Sequence, residues 1–408
     1  MGGAIPGGNL VINGGTITAC GGNGCAGIGS CATSGTTSTK MFGDITINGG
    51  TVTASALDNA AGIGSGKGTP CGNITITGGT VTATGDGRAA GIGSGDQGGC
   101  GDITIAGTIT KVVATKGSNA ANSIGGSSSI DIANNLVYNQ DGDTLVLKPV
   151  VDLGNLNGNY EAENFDVLTG TLKRNKKITI AAGATITLRD ADITSLDGNA
   201  GYAGITPLGD ATIILEGTNV VKGGSGSYPA IFVPENTTLT IEGEGSLTVT
   251  PGTSGCGIGG GWNIASGNIV INGGIINATA TGRCAAIGTG YFATGGSITI
   301  TGGIITATGC EYGAAIGAGS DGKCGNITIA GGSITAYGNT AAAGIGTGFN
   351  GNCGNITITN TVAQVTATAG QDAFSSIGVG NKGGVGTVTI GGTVYADGIE
   401  ESPYTYQP

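Results

Sequence analysis

The Ile of an A-I-G or G-I-G step recurs at Ile258, Ile287, Ile316 and Ile345, at one constant interval. A fixed period of about 29 residues marks a solenoid, in which one repeat is one coil and neighbouring coils complete the core that a single coil lacks. An earlier array carries the same step at Ile28, Ile63, Ile92 and Ile124. Within a unit, N-I-T-I-T and T-V-T-A-T alternate apolar and hydroxyl residues with period two, as strands with one inward face do. The Gly-Gly pair between them reads as a corner, and A-A-G-I-G as a third short strand. No helical period competes. The unit therefore predicts an all-β, three-sided coil, and stacked coils form a parallel β-helix rising about 4.8 Å per coil.

Gly accounts for 88 of 408 residues, yet apolar residues make up 38% and no G-X-Y triplet runs through the chain, so collagen and a disordered linker are both excluded. There is no His. That removes Ser-His-Asp and Cys-His relays and the zinc sites that mix His with Cys or carboxylate. A formal charge of -11 argues against nucleic acid and anionic lipid, both of which need a basic face. No apolar run is long enough for membrane insertion, and the start MGGAIPGGNL has neither a basic nor an apolar leader segment. We expect a piece of a longer extracellular protein, secreted or attached to a cell surface, whose export signal and anchor lie outside it.

The two arrays end alike, in a variant coil with a slightly longer interval, Ile124 following Ile92 and Ile377 following Ile345. The expected organisation is a first array over 1–132, truncated at its N-terminus, and a second over 178–408 with a C-terminal cap. Between them, 133–177 loses the period and reads as an irregular connector or cap with a basic cluster at Lys173, Arg174, Lys176 and Lys177. Within it, Asp141 and Asp143 in Q-D-G-D mark a hairpin turn.

Stacking makes columns of equivalent positions. Asn9, Asp44, Asn73, Asp102, Asn268, Ser297, Asn326 and Asn355 precede the first strand of successive coils. They are expected to form a ladder of side-chain amides that tolerates left-handed backbone at a corner, because mostly neutral Asn makes a poor calcium cage. Cys71 and Cys100, like Cys324 and Cys353, are separated by one full period and share one coil position. One coil rise lies within the Cα range of a disulfide, so these pairs are expected to staple adjacent coils. Cys20, Cys25, Cys31, Cys256, Cys284 and Cys310 have no equally clear partner, and no C-x-x-C pair points to a metal. No metal or other cofactor is expected.

Four residues beyond the coil Ile, the second array places Trp262, Tyr291, Ser320 and Phe349, where the first has Ala32, Lys67 and Asp96. Rings spaced by one or two coil rises match the repeat of a sugar chain and can stack on its apolar faces. Tyr312 and Tyr337 are expected nearby. Packing of the same rings over their own loops is the alternative. The stretch from Asp141 to Glu244 holds 14 of the 26 acids. Asp190 and Asp192, which period two would put on one side of a strand, are weak candidates with Asp210 for the carboxylates of a glycosidase. Outward Thr columns, as in ice-binding β-helices, are broken by Lys111, Asn277, Ser333 and Tyr337.

The unit GNITITGGTVTATG followed by AAGIGSG, with KKITIAAGATITLRDADI and TTLTIEGEGSLTVT before the second array, resembles the Gly-rich right-handed β-helix modules of large surface proteins of gut Firmicutes. That resemblance covers nearly all of the chain outside 133–177 and implies a right-handed parallel β-helix at a cell surface. Such modules are often labelled carbohydrate-binding or adhesin-like, but the label carries no defined residues onto this sequence. Pectate-lyase-like enzymes share the coil architecture. This chain departs from them in lacking a cluster of several Asp with Arg or Lys. The sequence thus predicts a non-catalytic stalk or adhesive module with a glycan or a cell surface as partner. A polysaccharide lyase or glycosidase is the second reading, and an ice-binding protein the remote third.

Overall fold

The computed structural model describes residues 7–32, 42–194, 201–396 and 398–408. Apart from one short 3-10 turn at Leu153–Asn155, the regular elements among them are strands, and the chain forms two units that divide at Val150/Val151. In the first, Leu10–Ile12, Ile45–Ile47, Ile74–Ile76, Ile103–Ile105 and Ile130–Ile132 pair in parallel as one side of the coil. The T-V-T-A-T strands form the second side and the two-residue I-G strands the third. Ile63 lies in register with Ile92, and Val52 with Val81, so like stacks on like. Ile45, Val52, Ile63, Ile74, Val81 and Ile92 are fully buried. Each such side chain contributes roughly 1.5–3 kcal/mol through burial, enough for short strands to cohere only when stacked.

The second unit repeats this plan, with Ile287 in register with Ile316 and Ile316 with Ile345. Its third side is a 10-stranded sheet running from Tyr160–Ala162 through the I-G strands to Gly398–Ile399. The tripeptide I-T-I changes place along the unit. Ile178–Ile180 pairs with Ile205–Pro207 in this third side, whereas Ile298–Ile300 pairs with Ile269 and Ile271 in the first.

Both units close with antiparallel strands, which cover an edge that would otherwise keep recruiting strands. The hairpin Leu136–Asp141 and Thr144–Pro149, turning at Gly142 and Asp143, pairs antiparallel with Lys111–Thr115. Tyr404–Tyr406 lies antiparallel on Gln364–Thr368, and Tyr395, Tyr404 and Tyr406 pack against the core. The stretch 133–177, expected as a connector or cap, is divided between the two units. Its first part caps the first unit, and from Val151 onward it builds opening strands of the second, with Val167–Thr171 pairing parallel to Thr185–Ile193.

The glycine of the I-G strands, Gly125 excepted, is imposed by the stacking. Gly317 has φ +132°, and a Cβ there would stand 2.0 Å from the carbonyl oxygen of Gly346. The Asn column works differently from the amide ladder expected of it. Asn73 N–H donates to Asp44 Oδ1 (2.8 Å), Asp102 N–H to Asn73 Oδ1 (2.8 Å), Asn326 N–H to Ser297 Oγ (3.2 Å) and Asn355 N–H to Asn326 Oδ1 (2.9 Å). Each side chain accepts from the backbone of the next coil, and these residues are not left-handed. Only an acceptor is needed, which explains why Asn, Asp and Ser alternate freely.

Candidate functional site

The loops on either side of the I-G strand interlock from coil to coil. In several coils the N–H four residues after the coil Ile donates to the carbonyl four residues before the Ile of the preceding coil, whereas Trp262 bonds Ser254 of its own coil (3.2 Å). Ser320 bonds Arg283 (2.8 Å), Phe349 bonds Tyr312 (2.9 Å) and Asn381 bonds Ala341 (2.8 Å). The next N–H reaches the following coil, as in Asn263 to Tyr291 (2.7 Å) and Phe292 to Ser320 (3.1 Å). Side chains from before and after the Ile are thereby drawn to one edge.

On the second unit that edge is a continuous series of rings and cations. Trp262 and Tyr291 have ring centres 5.9 Å apart, and Phe292 stands 4.2 Å from Tyr291. The Arg283 guanidinium lies 5.2 Å from the centres of both Tyr291 and Tyr312, and its Nη1 donates to the Tyr291 hydroxyl (3.2 Å). Tyr312 meets Phe349 edge-on at 5.7 Å, and Lys382 Nζ stands 5.2 Å over Phe349. Trp262 and Phe292 are 51% and 53% exposed, so these rings are not absorbed into the core.

Of the aromatic residues expected here, Trp262, Tyr291, Tyr312 and Phe349 meet in this series. Tyr312 occupies the gap left by Ser320, which is buried. Tyr337 is carried elsewhere, at the end of Ser333–Tyr337 in a column with Thr308 and Thr368. The sequence reading missed Arg283, Phe292 and Lys382. Arg283 and Tyr312 share one coil position, four before the Ile, and that coincidence was available in the repeat. Phe292 has φ +53° and Tyr312 φ +66°. Equivalent to Phe292 are Asn263, Asp321 and Asn350, residue types that tolerate left-handed backbone. Two bulky rings in this conformation are costly, and such strain concentrates at working surfaces.

Behind Arg283, Cys310 Sγ donates to the carbonyls of Gly282 (3.0 Å) and Cys284 (3.2 Å). Burial, helped by the neighbouring Cys284, pushes the Cys310 thiol up to about 12. Burial likewise holds Cys256 in its protonated form. Disulfides join Cys71 to Cys100 and Cys324 to Cys353, each pair with Cα atoms 4.7 Å apart, and a third joins Cys25 to Cys31.

Of the middle-section acids, Glu216 and Glu244 line one open depression and Asp210 lines another, while Asp190 and Asp192 line neither. Thr185–Ile193 bends at Asp190, which has φ +52°, and pairs with Ala211–Glu216 before the bend and Thr218–Lys222 after it. Asp190 and Asp192 thus do not share one straight strand face as period two implied. Asp190 accepts from Thr218 N–H (2.9 Å), Asp192 from Thr194 N–H (3.1 Å) and Asp210 from Thr238 N–H (2.7 Å). All three serve backbone amides at corners. The Thr columns are interrupted in register, by Lys111 beside Thr80 and by Asn277 beside Thr306.

Fold and coil sequence together define the class: the chain is a β-helix repeat protein. The family model described as Beta helix repeat matches residues 10–30, 45–67, 74–96, 239–262, 269–291, 298–320 and 327–349, and the segments of the second unit end on Trp262, Tyr291, Ser320 and Phe349. No curated protein and no solved structure matches the chain. Among the described residues no helix is long and apolar enough to cross a membrane.

Proposed function

We propose that the protein is a non-catalytic repeat module of an extracellular protein, secreted or attached to a cell surface, that serves as a stalk or adhesive element and contacts glycan through the edge from Trp262 to Phe349. The observation that carries this reading is the group of exposed Trp262 and Phe292 around half-buried Tyr291, built at a cost in backbone conformation and spaced on the scale of a coil rise. Stacking of ring faces on the apolar faces of sugars is the chemistry such a surface offers. Coil-to-coil disulfides are compatible with an oxidising, extracellular setting. A polysaccharide-active β-helix is the competing reading, and we prefer the binding module because Asp190, Asp192 and Asp210 are each committed to a corner amide.

A glycan array probed with the wild type and Trp262→Ala tests the proposal. Binding that falls at least tenfold in the variant is expected. Absence of any bound glycan, or equal binding by both proteins, overturns it.

A further inference from the structure

We infer that the edge is selective for glycans bearing carboxylate groups, with Arg283 as the residue that reads the acid. This inference rests on the glycan-contact reading and deepens it.

Arg283 is exposed, and rings at 5.2 Å lie on it from two adjacent coils. The two rings flank the guanidinium, and the N–H groups not turned to them are what the residue can offer a ligand. Five donors radiate in the guanidinium plane, and one is engaged with the Tyr291 hydroxyl. The fork that remains matches a carboxylate in two-point geometry, which a lysine cannot reproduce. Held between rings, it is already oriented, so less conformational freedom is lost on binding.

Arg283 also has no acid of its own. Among the described residues no carboxylate lies within ion-pair distance of Arg283 or of Lys382. On the first unit, the cation at the position equivalent to Tyr291 is Lys67, and it is paired with Asp58 at 3.8 Å. The net charge of -11 does not oppose a local acid site, because charges more than about 8 Å away are largely screened at physiological ionic strength. What a ligand meets here is one oriented guanidinium, flanked by Trp262 and Phe292 for its sugar faces, with Lys382 further along the same edge.

The test uses alginate and hyaluronan as probes, the same polymers after carboxyl reduction, and dextran sulfate, titrated against the wild type, Arg283→Gln and Arg283→Lys. Expected is binding of at least one uronate polymer that weakens tenfold or more on carboxyl reduction. Arg283→Gln should lower affinity for that polymer at least tenfold and for its carboxyl-reduced form by a clearly smaller factor, and Arg283→Lys should fall between. Equal affinity for native and reduced polymers, an Arg283→Gln variant that binds like wild type, or binding of dextran sulfate as tight as the uronate would each overturn the inference. The first two leave glycan contact standing. Failure of every polymer and of the glycan array together would remove the underlying reading as well.

Discussion

Arg283 and Tyr312 lie one repeat apart in the chain, occupy the same position of adjacent coils, and meet with the guanidinium 5.2 Å from the ring centre. A residue thus stacks on its own repeat equivalent. The consequence is that the edge is assembled between coils, and a change in either coil disturbs a surface made by both.

Phe292 separates binding from stability. Replacing it by Asn, the residue found at the equivalent Asn263 and Asn350, relieves left-handed strain of about 1–2 kcal/mol and forfeits a ring pair of about 0.5–1.5 kcal/mol. The two nearly cancel. Phe292→Asn is expected to shift folding stability by less than about 1 kcal/mol while weakening glycan binding several-fold, measured by denaturation and by titration on one preparation. A large stability loss with unchanged binding would make the ring a packing element.

Gly317→Ala tests the stacking. The added methyl would stand 2.0 Å from the Gly346 carbonyl oxygen, with φ at +132°, and one of the coils must move. We expect a loss of about 2 kcal/mol or more, at the upper end of ordinary single substitutions, seen as a lower thermal midpoint. Gly8→Ala, where nothing lies within 4 Å, is the control.

The staples should matter in proportion to the loop they close. For a sequence separation of 29, the chain-entropy relation gives about 3–4 kcal/mol. Reduction, or Cys324→Ser with Cys353→Ser, is expected to lower the melting temperature of the second unit without removing its β-sheet circular dichroism. An unchanged melting curve would mean that these thiols are not bonded in solution.

The thiols behind Arg283 predict a pH dependence. Cys310 is raised from its ordinary value of 9.0 to about 12. In the folded state it keeps its proton between those values, whereas the unfolded chain releases it. The unfolded state therefore binds fewer protons there, and stability falls as pH rises from 9 through 12. At pH 8, iodoacetamide should modify exposed Cys20 and leave Cys256, Cys284 and Cys310 largely unmodified until the protein unfolds. Rapid native labelling at Cys310 would contradict this.

Asn substitutions at Asp190, Asp192 and Asp210 keep the accepting oxygen and should fold normally. Asp210→Ala leaves the Thr238 amide without its partner and should cost about 1 kcal/mol. Incubation with a polysaccharide panel, scored for reducing ends and unsaturated uronic products, is expected to show no turnover by the wild type. Activity lost in the Asn variants would instead establish the enzyme reading.

Period and alternation were legible in the sequence because they are local: Ile287 and Ile316 stack in register, and T-V-T-A-T strands bury alternate residues, as the repeat required. The same regularity could not say what a shared motif does at a given place. I-T-I at Ile178–Ile180 and at Ile298–Ile300 reads identically, yet they lie on different sides of the coil. Their side is set by which neighbouring strand offers hydrogen bonds and core, and that depends on shorter coils and on the bend at Asp190. The sequence likewise placed Trp262, Tyr291 and Phe349 in one column, since they share one offset from the Ile. Arg283, Tyr312 and Phe292 joined them only through the loop hydrogen bonds between coils. Chain order determined the stacking of like positions, and the three-dimensional closure of each coil decided which unlike positions touch.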